Sequence, residues 1–154
     1  MSVAFILNGA EVSAPIEPEA SLLAELRGPL GLSGTRFGCG AEQCGACLVL
    51  VDDVPRTACT LPVGDVAGRR VVTVEGLGTA EVPHPVQRAL LDHQAGQCGF
   101  CLSGIQIRAV AVLRDNPRPS EEEWREALAP HLCRCGSHNR ILRALMQAAA
   151  EMAA

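Results

Sequence analysis

Aromatic side chains and charged side chains are both scarce in this chain of 154 residues. Aromatics make up 3% of the sequence, with no tyrosine, and charged residues make up 19%. The 13 Lys and Arg against 17 Asp and Glu give a net charge of -4, so there is no basic field to hold a phosphate backbone. We therefore expect no nucleic-acid partner.

Long apolar runs are missing as well. No stretch approaches the roughly 18 to 20 apolar residues of a membrane span, so we expect no direct membrane insertion. The start, Met1-Ser2-Val3-Ala4, lacks the positive charge and apolar run of a signal peptide. We expect the mature chain to be the whole chain and to be cytoplasmic, although a partner with an export signal could place it at or beyond a membrane.

Cysteine, in contrast, is abundant, with eight residues in two sets of four. Four disulfides in a secreted protein are one interpretation. However, a cysteine share of about 5% is low for a disulfide scaffold, and a chain of this length needs no covalent staples. The first cysteine group is Cys39, Cys44, Cys47 and Cys59, and the second cysteine group is Cys98, Cys101, Cys133 and Cys135.

Four thiolates are the ligand count of one metal site, so a zinc-binding interaction module is a second interpretation. Structural zinc ligands usually come as two pairs with two to four residues inside each pair, which neither group matches well. The first group instead has the spacing of plant-type [2Fe-2S] proteins, with three cysteines in one loop and a fourth further on. In the second group, one residue separates Cys133 from Cys135, so the backbone must turn there to aim both sulfurs at one centre.

The loop at residues 38–47 favours iron and sulfide over zinc, because small residues flank its cysteines. Glycine allows the backbone to approach closely, so that amide N–H groups can point at cluster sulfurs. Such donors stabilise the additional electron of a reduced cluster, which is already negatively charged by its thiolates.

The hydrophobic pattern changes its period near residues 76–83. Before this point, the turn signals Asn8-Gly9 and Asp52-Asp53 each predict a hairpin. After it, a period of three to four residues predicts helices. The expected strands are 3–7, 10–12, 48–51, 56–60 and 70–74, and the expected helices are 22–27, 85–95, 102–114, one starting at Ser120 with a Glu123 capping box, and 140–150.

The cysteine motifs are Gly38-Cys39-Gly40 through Cys47, then Cys59, Gln97-Cys98-Gly99-Phe100-Cys101, and Leu132-Cys133-Arg134-Cys135-Gly136. Together they resemble the small iron-sulfur subunit of the xanthine oxidase (molybdenum hydroxylase) family over essentially the whole chain. The resemblance implies an α+β protein, with a plant-type ferredoxin-like (β-grasp) domain at 1–76 and a four-helix bundle at 83–154. Each domain would hold one [2Fe-2S] cluster on its four cysteines.

The resemblance also implies a role. Such a chain passes electrons from the molybdopterin of a large partner subunit, in its cytosine dinucleotide form, through both clusters to an acceptor such as a flavin subunit or a cytochrome. Gln97 would hydrogen-bond the pterin, and Cys135 would be the ligand nearest to it. The alternative for Gln97 is that it caps the end of the preceding helix. The chain alone would have no hydroxylase activity.

Some positions resemble the nicotinate dehydrogenase branch of this family. They are His84-Pro85-Val86-Gln87, His138 in place of a frequent tyrosine, and Glu42 in place of a glycine. The implied substrate is an aromatic N-heterocycle such as nicotinate, with an aldehyde, purine or carbon monoxide dehydrogenase as the alternative. A free-standing ferredoxin electron carrier is a further alternative, but such a protein would not need the helical half.

We expect His138 to pack or donate a hydrogen bond, and His93 and His131 to face solvent or a partner.

Overall fold

A five-stranded mixed sheet forms the N-terminal half of the computed structural model, which describes residues 2–15 and 17–154. Its strand order is β2-β1-β5-β3-β4. The β1–β5 pair is parallel and the other pairs are antiparallel. Met1 and Ile16 lie outside the described residues. The strands are β1 (Ser2–Leu7), β2 (Ala10–Pro15), β3 (Leu48–Val51), β4 (Val54–Thr57) and β5 (Arg70–Val72).

Five α-helices accompany the sheet in the part of the chain that the structure describes, and four of them follow residue 83. The combination confirms the predicted α+β class. None of the helices described is long and apolar enough to cross a membrane. The helices are α1 (Leu22–Arg27), α2 (Pro85–Asp92), α3 (Leu102–Asp115), α4 (Glu121–Leu128) and α5 (His138–Met152).

The first hairpin is confirmed, and its turn makes a long-range connection. Asn8 and Gly9 both have positive φ, as a two-residue hairpin turn requires. The Asn8 side chain accepts a hydrogen bond from the Thr73 N–H at 2.9 Å and donates to the Thr73 hydroxyl at 3.0 Å. Because the Thr73 amide bonds a side chain rather than a strand, β5 ends at Val72 instead of the predicted residue 74.

Two other predicted boundaries shift for local reasons. The left-handed Asp52 and Asp53 form a two-residue turn, so β4 begins directly after it at Val54 and ends before Cys59. Helix α2 ends at Asp92 rather than 95, because Gln94 adopts φ 46° and the Ala95 N–H closes back on the Leu90 carbonyl.

Strand β3 is buried on both faces, which explains its unbroken apolar sequence. Leu48 and Leu50 pack against Ile107 and Ala111 of α3. The alternate valines of β3 point into a separate core with α1 and the rest of the sheet. A third cluster joins α2 to α5 around the fully buried Trp124. Helix α3 therefore connects the sheet to the other helices.

Candidate metal centre

The first cysteine group lies in the loop between α1 and β3 and in the turn after β4. Its thiols fall into two contacting pairs, Cys39 with Cys44 and Cys47 with Cys59. The pairs differ in environment, since Cys39 is exposed and Cys47 is buried. The group therefore has one face toward solvent and one toward the sheet core.

Backbone amides surround the exposed end of this group. The N–H groups of Ala41 and Gln43 donate to the Cys39 sulfur at 3.3 and 3.2 Å, and the Cys39 N–H donates to the Cys44 sulfur at 3.4 Å. The donors at Ala41 and Gln43 are the main cause that lowers the pKa of Cys39 to about 7. A Cβ on Gly38 would lie 2.6 Å from the Cys44 sulfur, so only glycine leaves that sulfur room. The predicted amide-lined loop is present.

The second cysteine group comes together from two connections of the helical half. Cys98 and Cys101 lie in the connection from α2 to α3, while Cys133 and Cys135 lie between α4 and α5. All four line one small crevice. The contacting pairs are Cys98 with Cys135 and Cys101 with Cys133. Each pair thus takes one thiol from each connection.

This group repeats the amide pattern of the first. The Phe100 N–H donates to the Cys98 sulfur at 3.5 Å and is the main cause of the lowered Cys98 pKa. Burial raises the pKa of Cys133, but hydrogen bonds outweigh it and the net shift is downward; the Ser137 N–H at 3.4 Å contributes most. Both donors lie at the starts of helices α3 and α5, where the helix dipole favours negative charge.

The most buried thiol of each group has a raised pKa, in contrast to the thiols that accept hydrogen bonds from amides. Burial raises the pKa of Cys47 and of Cys101 to about 12. A buried thiol with a high pKa stays protonated and unreactive, so neither cysteine is a free nucleophile; as a ligand, each would release its proton when the metal binds.

The paired arrangement of the thiols matches one kind of metal site. All eight cysteines are free thiols. A [2Fe-2S] cluster takes two thiolates on each of its two irons, so two pairs per group suit it. The donor set, the amides at sulfur and the space at Gly38 all fit this cofactor.

Gln97 is exposed beside the second group, and its side-chain amide donates to the Cys135 carbonyl at 3.1 Å. It does not cap α2, whose last residues are closed by backbone hydrogen bonds. Gln97 also lies in the wall of a groove of about 690 Å³ between residues 74–83 and the helices α2 and α3. It therefore joins the two halves of the second group at an accessible surface.

The histidines differ from expectation in one case. His131 is 1% exposed, so the prediction that it faces solvent or a partner is wrong. It packs against Gly45 of the first loop, and burial lowers its pKa to about 4. His93 is partly exposed and contacts Gln147, while His138 is half-buried at the start of α5. No local pattern indicated the burial of His131, because its partner Gly45 lies far away in the sequence.

Comparison with known protein families identifies both halves. Residues 5–65 match the model for the 2Fe-2S iron-sulfur cluster binding domain, and residues 73–146 match the model for the [2Fe-2S] binding domain. The chain belongs to the iron-sulfur subunits of the xanthine oxidase family of molybdenum hydroxylases. The ferredoxin-like nature of the sheet half is thereby confirmed.

Relatives of similar length are separate subunits. A nicotinate dehydrogenase subunit from Pseudomonas putida is 45% identical over 96% of this chain and 94% of its own length. The alpha subunit of isoquinoline 1-oxidoreductase from Brevundimonas diminuta is 44% identical over 98% of this chain and 99% of its own. This iron-sulfur subunit is therefore one component of a molybdenum oxidoreductase complex.

Solved structures agree in fold. A chain of quinoline 2-oxidoreductase from Pseudomonas putida 86 superposes with a TM-score of 0.94 at 36% identity, over 99% of this chain and 95% of that one. Aldehyde oxidoreductase from Desulfovibrio desulfuricans gives a TM-score of 0.94 at 37% identity, but only 17% of that longer chain is covered. The same iron-sulfur unit thus occurs both as a separate chain and as part of a longer polypeptide.

Proposed function

We propose that this subunit relays electrons from the molybdopterin of a large partner subunit, through two [2Fe-2S] clusters, to an external acceptor. The observation that carries the proposal is the sorting of eight free thiols into two groups of two pairs. When bound, each cluster would take up and release one electron. The proposed ligands are Cys39, Cys44, Cys47 and Cys59 for one cluster and Cys98, Cys101, Cys133 and Cys135 for the other.

We further propose that the two groups belong to separate domains. Residues 1–76 would form a β-grasp domain and residues 83–154 a four-helix bundle. Separate apolar clusters in the two halves, with α3 joining them, support this division.

The chain's own residues prepare each group for added negative charge. Backbone N–H groups at the sulfurs of Cys39, Cys98 and Cys133 stabilise a more negative centre without having to move. Burial of Cys47 and Cys101 keeps water from the inner side of each group. The exposed Cys39 and Cys98 leave each group one accessible edge.

Exposed apolar side chains lie close to both groups and suit contact with partner subunits. Phe37 is 61% exposed next to the first group, and Leu132 is 65% exposed next to the second. Gln97 and Cys135, which are joined by a hydrogen bond, are the proposed contacts to the pterin, in its cytosine dinucleotide form. The acceptor is proposed to be a flavin subunit or a cytochrome, and the compartment the cytoplasm.

The proposed substrate of the complex is an aromatic N-heterocycle such as nicotinate. Support comes from the nicotinate and isoquinoline names of the relatives that match this chain over nearly their full length. The second candidate is an aldehyde or purine substrate, favoured by matches to aldehyde oxidoreductase and to xanthine dehydrogenase of Emericella nidulans. A carbon monoxide dehydrogenase is the remaining alternative.

The relay is tested in the complex isolated anaerobically with its partner chains. Nicotinate, an aldehyde, a purine or carbon monoxide is added, and the clusters are followed by electron paramagnetic resonance. We expect one of these compounds, nicotinate first, to reduce both clusters. A complex that turns over substrate while both clusters stay oxidised would refute the relay.

Gln97 provides a prediction at the pterin side. In Gln97→Ala, both clusters should remain, because the amide touches a carbonyl and no sulfur. Their reduction by substrate should slow by about tenfold or more, because positioning errors near a reacting centre are costly. Stopped-flow absorbance measures the rate, and Gln106→Ala in the same groove is the control. An unchanged rate in Gln97→Ala would assign this glutamine a structural role alone.

A further inference from the structure

The two cysteine groups are connected through the backbone. The Leu132 N–H donates to the Cys44 carbonyl at 3.1 Å. Leu132 directly precedes Cys133, so this hydrogen bond links a residue of the first group to the neighbour of a residue of the second. The two loops are therefore in direct backbone contact at this point.

A pair of glycines brings the loops together beside this hydrogen bond. Gly104 lies in the first turn of α3, three residues after Cys101, and packs on Gly45 between Cys44 and Cys47. A Cβ on Gly104 would lie 1.9 Å from the Gly45 carbonyl oxygen, whereas ordinary contact begins at 3.4 Å. The neighbouring Ser103 hydroxyl donates to the Ala46 carbonyl at 3.4 Å. A side chain at position 104 would push the two groups apart.

His131 fills the other side of the same contact. A Cβ on Gly45 would lie 2.5 Å from His131 Nδ1, so the ring touches the Gly45 backbone. Within the described residues neither ring nitrogen has a hydrogen-bond partner, so the ring holds its place by shape and packing. Gly45 is thereby held between Gly104 and His131. We call these three residues, with the Leu132 to Cys44 hydrogen bond, the inter-group seam.

We propose that Gly104 and His131 are positioning residues that fix the separation of the two cysteine groups, and with it the rate of electron exchange between them. The inference rests on the proposed two-cluster relay. In the exchange, one centre is oxidised and the other reduced by a single electron, and no bond is made or broken. Backbone-to-backbone packing suits this task, because close-packed contacts resist small displacements.

The test uses the full chain with its iron, reduced by dithionite. Pulsed electron double resonance measures the distance between the two reduced clusters, and flash reduction followed by absorbance measures their electron exchange. We expect Gly104→Ala to lengthen the distance by on the order of 1 Å, since the added methyl must find space in a packed contact. Exchange should slow severalfold, because the rate of electron tunnelling falls steeply with the distance between the centres. Iron content and the signal of each cluster alone should not change.

His131 provides a second, independent variant. His131→Ala leaves a space beside Gly45, so we expect a broader distribution of distances and slower exchange. His131→Gln has a similar volume and should restore both. The matched control is Gln106→Ala, which lies on α3 but lines the groove instead of the seam.

The possible outcomes test the positioning role of the seam and the two-cluster relay separately. Unchanged distance and exchange in both Gly104→Ala and His131→Ala would overturn the positioning role while leaving the relay intact. If Gly104→Ala fails to fold, the two His131 variants still test whether the seam fixes the separation of the groups. A wild-type chain that folds without iron and sulfide would refute the two-cluster relay itself.

Discussion

At the scale of single residues, small side chains determine whether the sulfurs have room. Gly38 has an ordinary backbone conformation, so its need for glycine is steric: an added Cβ would lie 2.6 Å from the Cys44 sulfur. At Gly40 and Gly45, in contrast, a positive φ adds to the crowding. The loop at 38–47 is therefore shaped for thiolates at defined positions.

We predict that Gly38→Ala removes the first cluster selectively. Iron should fall to about half, because each [2Fe-2S] group holds two irons, and one of two resonance signals should disappear. Iron analysis and electron paramagnetic resonance measure both effects. Gly96→Ala is the control, because its methyl meets only the flexible end of the Leu102 side chain. Retention of both signals in Gly38→Ala would contradict the steric account of this loop.

At the scale of elements, the start of α2 depends on an uncommon cap. His84 Nδ1 accepts the Val86 N–H at 3.2 Å, and the Gln87 side chain accepts the His84 N–H at 2.9 Å. Partial burial lowers the pKa of His84 below its usual 6.5. The cap requires the neutral ring, because a protonated Nδ1 can no longer accept a hydrogen bond.

This cap predicts a pH dependence of stability. Because the folded pKa is below the unfolded value, stability is fully present above about pH 6.5 and is lost as the pH falls through the folded pKa. Urea unfolding between pH 7.5 and 5.5 measures it. His84→Ser retains a capping oxygen and should have a flatter profile, while His84→Ala should lose about 1 kcal/mol at pH 7.5. Equal profiles for wild type and His84→Ser would contradict the capping role.

The elements also show what the sequence could predict. Local signals sufficed for the Asn8-Gly9 hairpin, for the helix at residues 22–27 and for the Ser120 capping box with Glu123, all of which are confirmed. The ends of strands that depend on distant partners were not predicted. Strand β5 ends at Val72 because the N–H of the next residue, Thr73, donates to the Asn8 side chain. A side chain 65 residues away leaves no trace in a local pattern.

In the candidate metal centre too, features that depend on neighbouring residues were predicted and those that depend on tertiary contacts were not. The cysteine spacing predicted two groups of four, and the small residues predicted amides near the sulfurs, because both depend on neighbours in sequence. The contact between the groups depends on tertiary packing and was not predicted. One signal was available: Gly104 is a glycine inside a helical pattern, which often indicates a close approach of backbone.

At the scale of the whole molecule, α3 joins the two halves. Its Ile107 and Ala111 pack on β3, its Gly104 meets Gly45, and its N-terminal end carries Cys101. One rigid helix therefore sets the position of the second cysteine group relative to the sheet that carries the first. This geometry suits a protein whose task is to hold two centres at a fixed spacing.

The central claim is that the eight thiols hold two [2Fe-2S] clusters. The most direct measurement is the iron, zinc and acid-labile sulfide content of the anaerobically isolated, folded chain, together with the resonance spectrum after dithionite reduction. We predict about four irons and four sulfides per chain, two clusters of two irons each, and two distinct signals. A folded chain that contains zinc in place of iron, lacks sulfide, or shows a single signal would contradict the claim.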